Sequence, residues 1–334
     1  MAAVRLKDIA AYLNTSVVTV SNALSGKKGV SDSLRNKIVM TAEELGYDTA
    51  RYHERKQEEK IRLGVLLSEN FLNSTCSFSW MLYQQVLCAA AKRKISVLLK
   101  FLNRDVQEKE ELSAEWSSSI DGLLVIGRIE PRGAESFQHV HKVPTVLLGF
   151  QESGVLHDSV TVNDYIGAYR AVKYLLERGH EKIGFVGALE ADDLVRERYY
   201  GFRRGMEEYR KEIRREWVLD IREHTAGIRF PERLPTAFVC GSLWGAALLY
   251  ETLGERGCKV PEDVSLIVCD DTDVRSPEGD FFSGQVTFCR ADRQRMAETA
   301  VTLLLRRIEN PDSVCQTIYM DSEIQEGNSI KTER

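Results

Sequence analysis

The chain has 334 residues, 43% of them apolar, and its 45 Lys and Arg against 50 Asp and Glu leave a formal net charge of -5. That length predicts two or three domains with cores of ordinary size, and the charge does not by itself advertise a nucleic-acid partner. No apolar run approaches the roughly 18 residues of a membrane span, which excludes a membrane partner. No signal-peptide core follows the opening Met-Ala-Ala-Val-Arg. The seven cysteines are odd in number and form no Cys-x-x-Cys pair, so they read as reduced core residues of a cytoplasmic protein. The charge is unevenly spread: residues 1–60 hold 10 Lys and Arg against 8 Asp and Glu, a net of +2, and the rest nets -7. A small DNA-binding head on an acidic body fits that asymmetry.

The first predicted element is a short apolar helix over 7–13. Only Asn14 and Thr15 separate it from Ser16, an N-cap for a second helix ending near Leu24. Val20 and Leu24 turn inward together, whereas Val17, Val18, Ser21 and Asn22 pair on the opposite side. Two helices joined by so tight a turn predict a helix-turn-helix, its second helix aimed at a DNA major groove. A glycine-punctuated loop over 25–30 carries Lys27 and Lys28. Ser31 then opens a third helix, with Leu34, Ile38, Ala42 and Leu45 at helical spacing and Gly46 as its stop. This gives a head over 1–47. Residues 48–60 contain no Leu, Ile or Val and form a charged linker.

From residue 61 the texture changes to alternating strands and helices. Strands are expected over 61–67, 96–101, 121–127 and 144–149, with a helix over 79–94. After 159–162 the rhythm restarts: helices over 165–178, 198–209, 246–256 and 295–308 alternate with strands at 182–186, 236–240 and 264–269, and 313–320 is strand-like. The fold class is therefore α/β: an all-α helix-turn-helix head followed by two doubly wound parallel lobes. The body spans 61–330, lobe 1 about 61–158 and 289–312, lobe 2 about 159–288 and 313–330. Ligands in such folds bind beyond the carboxyl ends of the strands, here in the cleft between lobes.

This order of parts resembles the LacI/GalR family of bacterial transcription regulators, whose body is similar to periplasmic sugar-binding proteins. The head carries the resemblance in Lys7-Asp8-Ile9-Ala10, Thr19-Val20-Ser21-Asn22-Ala23-Leu24, Val30-Ser31 and Ala42-Glu43-Glu44-Leu45-Gly46-Tyr47. The body adds Asp121-Gly122-Leu123, Arg178-Gly179-His180-Glu181, Tyr200-Gly201-Phe202, Val260-Pro261-Glu262-Asp263 and Asp270-Asp271. The resemblance implies a homodimer that binds double-stranded operator DNA and a small carbohydrate-like effector, most often as a repressor. It implies no cofactor and no metal. Base reading falls to Val17, Val18 and Asn22: valine meets a thymine methyl, and asparagine pairs with an adenine edge. Ser16, Thr19, Ser21, Ser25, Lys27 and Ser31 complete the DNA-facing set, several of them as phosphate contacts that set register. Effector contacts fall to Phe78, Ser79, Trp80, Arg198, Gly241, Trp244 and Asp270, and Gly179-His180 takes a structural role at a helix-to-strand turn.

The chain also departs from its family. Relatives carry a leucine in the linker that wedges open the minor groove. Here that position falls near Lys56, so Arg51, Arg55 and Lys56 are expected at most to anchor phosphates. Gly241-Ser242 replaces an Asn-Asp pair that binds sugar hydroxyls, and Gly149 replaces a common aspartate. With two polar anchors gone, the cleft is left for a ligand with fewer hydroxyls than a free hexose, for a phosphorylated or protein partner, or for none.

Enzyme motifs are absent: there is no G-x-G-x-x-G after a strand, no P-loop, no G-x-S-x-G and no H-E-x-x-H. His139-x-His141 is too isolated for a metal site. The adjacent carboxylates of Asp192-Asp193 and Asp270-Asp271 point apart and make no acid-base pair. A solute-binding protein without DNA function is the remaining rival to a regulator.

Overall fold

A computed structural model describes residues 4–25, 30–49, 61–68, 78–102, 114–127, 143–152, 157–190, 192–221, 230–270 and 286–333. Lys27, Lys28, Arg51, Arg55, Lys56, His139, His141 and Asp271, singled out from the sequence, lie outside the described residues. The chain divides into two compact units, residues 1–61 and 62–334.

The first unit contains α1 (Leu6–Tyr12), α2 (Val17–Leu24) and α3 (Asp32–Glu44). Each start is set by a local cap. The Asp8 carboxylate accepts from the Arg5 amide at 2.8 Å, the Ser16 hydroxyl accepts from the Thr19 amide at 2.9 Å, and the Ser31 hydroxyl accepts from the Leu34 amide at 3.4 Å. Asn14 occupies the left-handed region at φ +51°, which turns α1 sharply into α2. Ile9 and Ala10 of α1, Val20 and Ala23 of α2, and Ile38 and Ala42 of α3 close a small shared core. Val20 is buried there, and Leu24 packs against the same core, as the spacing predicts.

The second unit holds two six-stranded sheets, formed by β1 (Arg62–Ser68), β2 (Ser96–Leu102), β3 (Gly122–Ile126), β4 (Thr145–Leu148), β5 (Asp158–Val162), β6 (Ile183–Gly187), β7 (Val218–Asp220), β8 (Ala237–Cys240), β9 (Ser265–Val268), β10 (Thr287–Ala291), β11 (Thr317–Met320) and β12 (Ser322–Gln325). The first sheet runs β11-β5-β4-β3-β1-β2 and is parallel throughout. The second runs β12-β10-β9-β8-β6-β7, parallel except for the antiparallel β10–β12 pair. Near-continuous apolar strands such as Gly122–Ile126 and Ile183–Gly187 are buried along their whole length, as strands covered on both faces must be. Among the described residues the α-helices of this unit are α4 (Phe78–Lys92), α5 (Ala114–Ser118), α6 (Asp164–Glu177), α7 (Asp193–Glu208), α8 (Leu243–Glu255) and α9 (Arg293–Glu309).

Lobe membership differs from the expected boundaries near the crossovers. Residues 313–330, expected together in lobe 2, are divided: β11 pairs with β5 in the first sheet, and β12 pairs with β10 in the second. β5 itself, expected largely in lobe 2, lies in the first sheet between β4 and β11, and β10, which straddles the expected boundary at 288/289, lies wholly in the second. The physical reason is that the chain crosses between sheets over single residues, Asn163, Asp292 and Asp321, each directly after a strand. Strand-like texture on both sides hides such a crossing. The Asn163 amide donates to the Met320 carbonyl at 2.9 Å, tying two of these crossings together.

A buried ion pair fastens the first sheet. Arg307 near the end of α9 donates Nε to Asp158 Oδ2 at 2.7 Å and Nη2 to Asp158 Oδ1 at 3.0 Å, and it also reaches the carbonyls of Pro311, Ser313 and Val314. In the second lobe, α6 and α7 approach so closely that a Cβ on Gly201 would lie 1.9 Å from the Tyr165 carbonyl oxygen. Only glycine fits that crossing. No helix among the described residues is long and apolar enough to cross a membrane.

Candidate functional site

The α2 helix presents its residues in two sets. Val20 and Ala23 are buried in the head core. Val17 and Val18 are 45% and 68% exposed, the more telling because two adjacent β-branched apolar residues gain nothing from water. Ser16 and Ser31 are exposed, and Thr19, Ser21, Asn22 and Ser25 are half-buried. Several of these polar groups are already engaged. The Ser16 hydroxyl caps α2 and meets the Thr19 hydroxyl at 2.8 Å. The Ser25 hydroxyl donates to the Ser21 carbonyl at 2.5 Å, and Ser31 caps α3. Arg35, not singled out from the sequence, donates Nη1 to the Ala23 and Asn22 carbonyls at 2.7 and 3.3 Å.

In the second lobe three of the predicted effector residues come together. Arg198, on α7, is buried, and its Nε donates to Asp164 Oδ1 at 2.6 Å while Nη1 donates to the Gly241 carbonyl at 2.7 Å. Gly241 directly follows β8 and Asp270 comes two residues after β9, so both stand at strand carboxyl ends. The Asp270 carboxylate accepts from the Leu243 amide at 2.6 Å, at the N-terminus of α8. Trp244, in the first turn of α8, is 38% exposed. Asp193, close by at the start of α7, binds Arg196 at 2.6 Å. Asp164 was the missed residue. Burial raises its pKa, the Arg198 charge and hydrogen bond oppose that rise, and the Asp270 and Asp192 carboxylates add to it. Among the described residues, Arg198 is therefore bound to a carboxylate that itself lies within electrostatic reach of Asp270 and Asp192.

Phe78, Ser79 and Trp80 open α4 in the first lobe. Ser79 is buried, and Trp80 lies against Tyr83 with ring centroids 5.3 Å apart. Gly149, at φ +86° directly after β4, faces Phe78: a Cβ there would sit 3.2 Å from the Phe78 ring.

Comparison with known proteins agrees with this division. Residues 5–50 match the model of bacterial regulatory proteins of the lacI family, and residues 172–330 match the periplasmic binding protein-like domain. The chain is 28% identical to the HTH-type transcriptional repressor PurR of Escherichia coli O139:H28, over 97% of this chain and 96% of the relative. Its fold is similar to that of a transcriptional regulator CelR–cellobiose complex, with a TM-score of 0.63, 18% identity and coverage of 98% and 99%. It is also similar to the Lac repressor dimer bound to operator and the anti-inducer ONPF, with a TM-score of 0.56, 18% identity and coverage of 98% and 100%. These relatives are regulators rather than enzymes. A lacI-family helix-turn-helix head is thus followed by a periplasmic-binding-protein-like body, and over nearly its whole length the chain is similar to bacterial transcription repressors built in that order.

Proposed function

We propose that the chain is a homodimeric repressor that reads operator DNA with Val17, Val18 and Asn22 and is controlled by a small neutral, carbohydrate-like effector held between its lobes. The observation that carries the DNA part is the exposure of Val17 and Val18 on a helix capped at Ser16 and anchored by buried Val20 and Ala23. An apolar pair facing outward on a fixed helix suits thymine methyls in the major groove. Thr19, Ser21, Ser25, Lys27 and Ser31 complete the DNA-facing surface in this reading, as contacts that position the head on phosphates. The dimer, the operator and the small ligand are supported by the similar fold of the operator-bound Lac repressor dimer and of the cellobiose-bound regulator.

The effector class follows from charge. Among the described residues, Asp164 engages Arg198 and feels the Asp270 and Asp192 carboxylates, which in this reading favours a neutral ligand over a phosphate or carboxylate. A neutral polyol can accept from Arg198 and donate to Asp270, and Phe78, Trp80 and Trp244 offer apolar faces for its ring. Ser79 and the Gly241 carbonyl complete the proposed contacts. A second reading, a cleft that takes no ligand, is favoured by the internal partners that Arg198 and Asp270 already have.

Thermal unfolding of the full chain with neutral sugars, nucleosides and sugar phosphates separates the two. Stabilisation by a neutral ligand, about 2.7 kcal/mol at a hundredfold excess over Kd, and its loss in Arg198→Met, is the expected result. A response to sugar phosphates alone contradicts the charge argument, and no response from any compound supports the empty cleft. On the DNA side, Asn22→Ala is expected to weaken binding to a selected operator by about 1–3 kcal/mol, measured by gel shift at fixed salt.

A further inference from the structure

Arg35 lies in the first turn of α3, where the helix dipole disfavours a cation. A residue that breaks a local rule usually gains elsewhere. Here the gain is at the C-terminal end of α2, where Arg35 Nη1 donates to the Ala23 carbonyl at 2.7 Å and to the Asn22 carbonyl at 3.3 Å. The last carbonyls of a helix have no partner within it, and a cation beside them also meets the negative end of the dipole. α2 has no basic residue in its own last turn. Arg35 supplies that charge from another helix, twelve and thirteen residues away in sequence.

We infer that Arg35 is a positioning residue for operator reading. It holds the backbone of Asn22 itself, so it sets how that side chain and the valines one turn earlier are presented to the groove. The far end of α2 is fixed by Ser16, and with Arg35 the helix is clamped at both ends. This rests on the reading of α2 as the base-reading helix. It assigns Arg35 an action through α2, distinct from a phosphate contact of its own.

The test uses the full chain, a palindromic duplex selected by the wild-type chain from a randomised pool, and a non-specific duplex, both titrated across a salt series. Arg35→Ala is expected to weaken binding to the selected duplex by about 10- to 100-fold, with non-specific affinity and the salt slope unchanged. Arg35→Lys keeps the charge but lacks the planar fork, and is expected to keep non-specific binding while recovering only part of the specificity. If Arg35→Ala loses the helical circular dichroism of the head, the Lys variant decides. Equal weakening on both duplexes with a slope shallower by about 0.9 identifies a phosphate contact and overturns the inference. An unchanged specificity ratio in both variants overturns it as well. Failure of the wild-type chain to select any sequence would instead defeat the base-reading account on which it rests.

Discussion

His180 shows how much of a residue's role is set by partners remote in sequence. It is fully buried, with Nδ1 against the Thr236 hydroxyl at 2.9 Å and Nε2 against the Lys331 carbonyl at 3.0 Å. Burial lowers its pKa below the ordinary 6.5, outweighing the Lys331 carbonyl's contribution in the other direction. The unfolded chain therefore takes up the proton first. The stabilisation is complete above about pH 6.5 and is lost as pH falls toward the folded-state value, by at most about 1.4 kcal/mol per pH unit. Urea unfolding between pH 5 and 8 is expected to show that slope, and His180→Gln to flatten it; an unchanged slope contradicts the assignment. The glycine-histidine motif was legible as a structural turn, but its anchor at Lys331 was not, because nothing local marks a contact 151 residues away. Asp164 escaped for the same reason. It pairs with Arg198 across 34 residues, a separation that local sequence does not mark.

At the scale of elements, periodicity found the helices and strands of the two lobes, and capping chemistry decided their ends. α8 was expected to start at residue 246, yet it begins at Leu243 because the Ser242 hydroxyl accepts from the Gly245 amide at 3.1 Å and Asp270 takes the Leu243 amide. That shift places Trp244 in a helix rather than a loop. The short elements α5, β7, β10 and β12 were not among the expected ones. The division of 313–330 between sheets could not be read either, since one residue separates β11 from β12. Two contacts between elements make predictions. Removing one partner of the buried Asp158–Arg307 pair, as in Arg307→Met, is expected to cost about 3–5 kcal/mol in denaturant unfolding, because a buried carboxylate is left without its cation. Gly201→Ala is expected to destabilise the body by driving α7 off the Tyr165 carbonyl. A variant with wild-type stability would show that the α6–α7 crossing tolerates a side chain.

On the scale of the whole molecule, the sequence separates a weakly basic head from an acidic body, and the structure divides into units at nearly the same point, between residues 61 and 62. The head was the more legible part. A small helical bundle has few ways to bury its apolar positions, so spacing alone located its core. The cleft was less legible because its chemistry lies in how Arg198 engages Asp164 and the Gly241 carbonyl and how Asp270 takes the Leu243 amide, which depends on three-dimensional proximity. If two heads are brought together by a dimeric body, they meet two half-sites about one helical turn apart. The most direct test is selection of duplexes from a randomised pool by the wild-type chain, in parallel with a chain carrying Val17→Ala, Val18→Ala and Asn22→Ala. The wild type is predicted to enrich a two-fold symmetric site, and the triple variant to lose that enrichment while still binding DNA non-specifically. Enrichment of the same site by both chains, or of none by the wild type, would contradict the assignment of operator reading to α2.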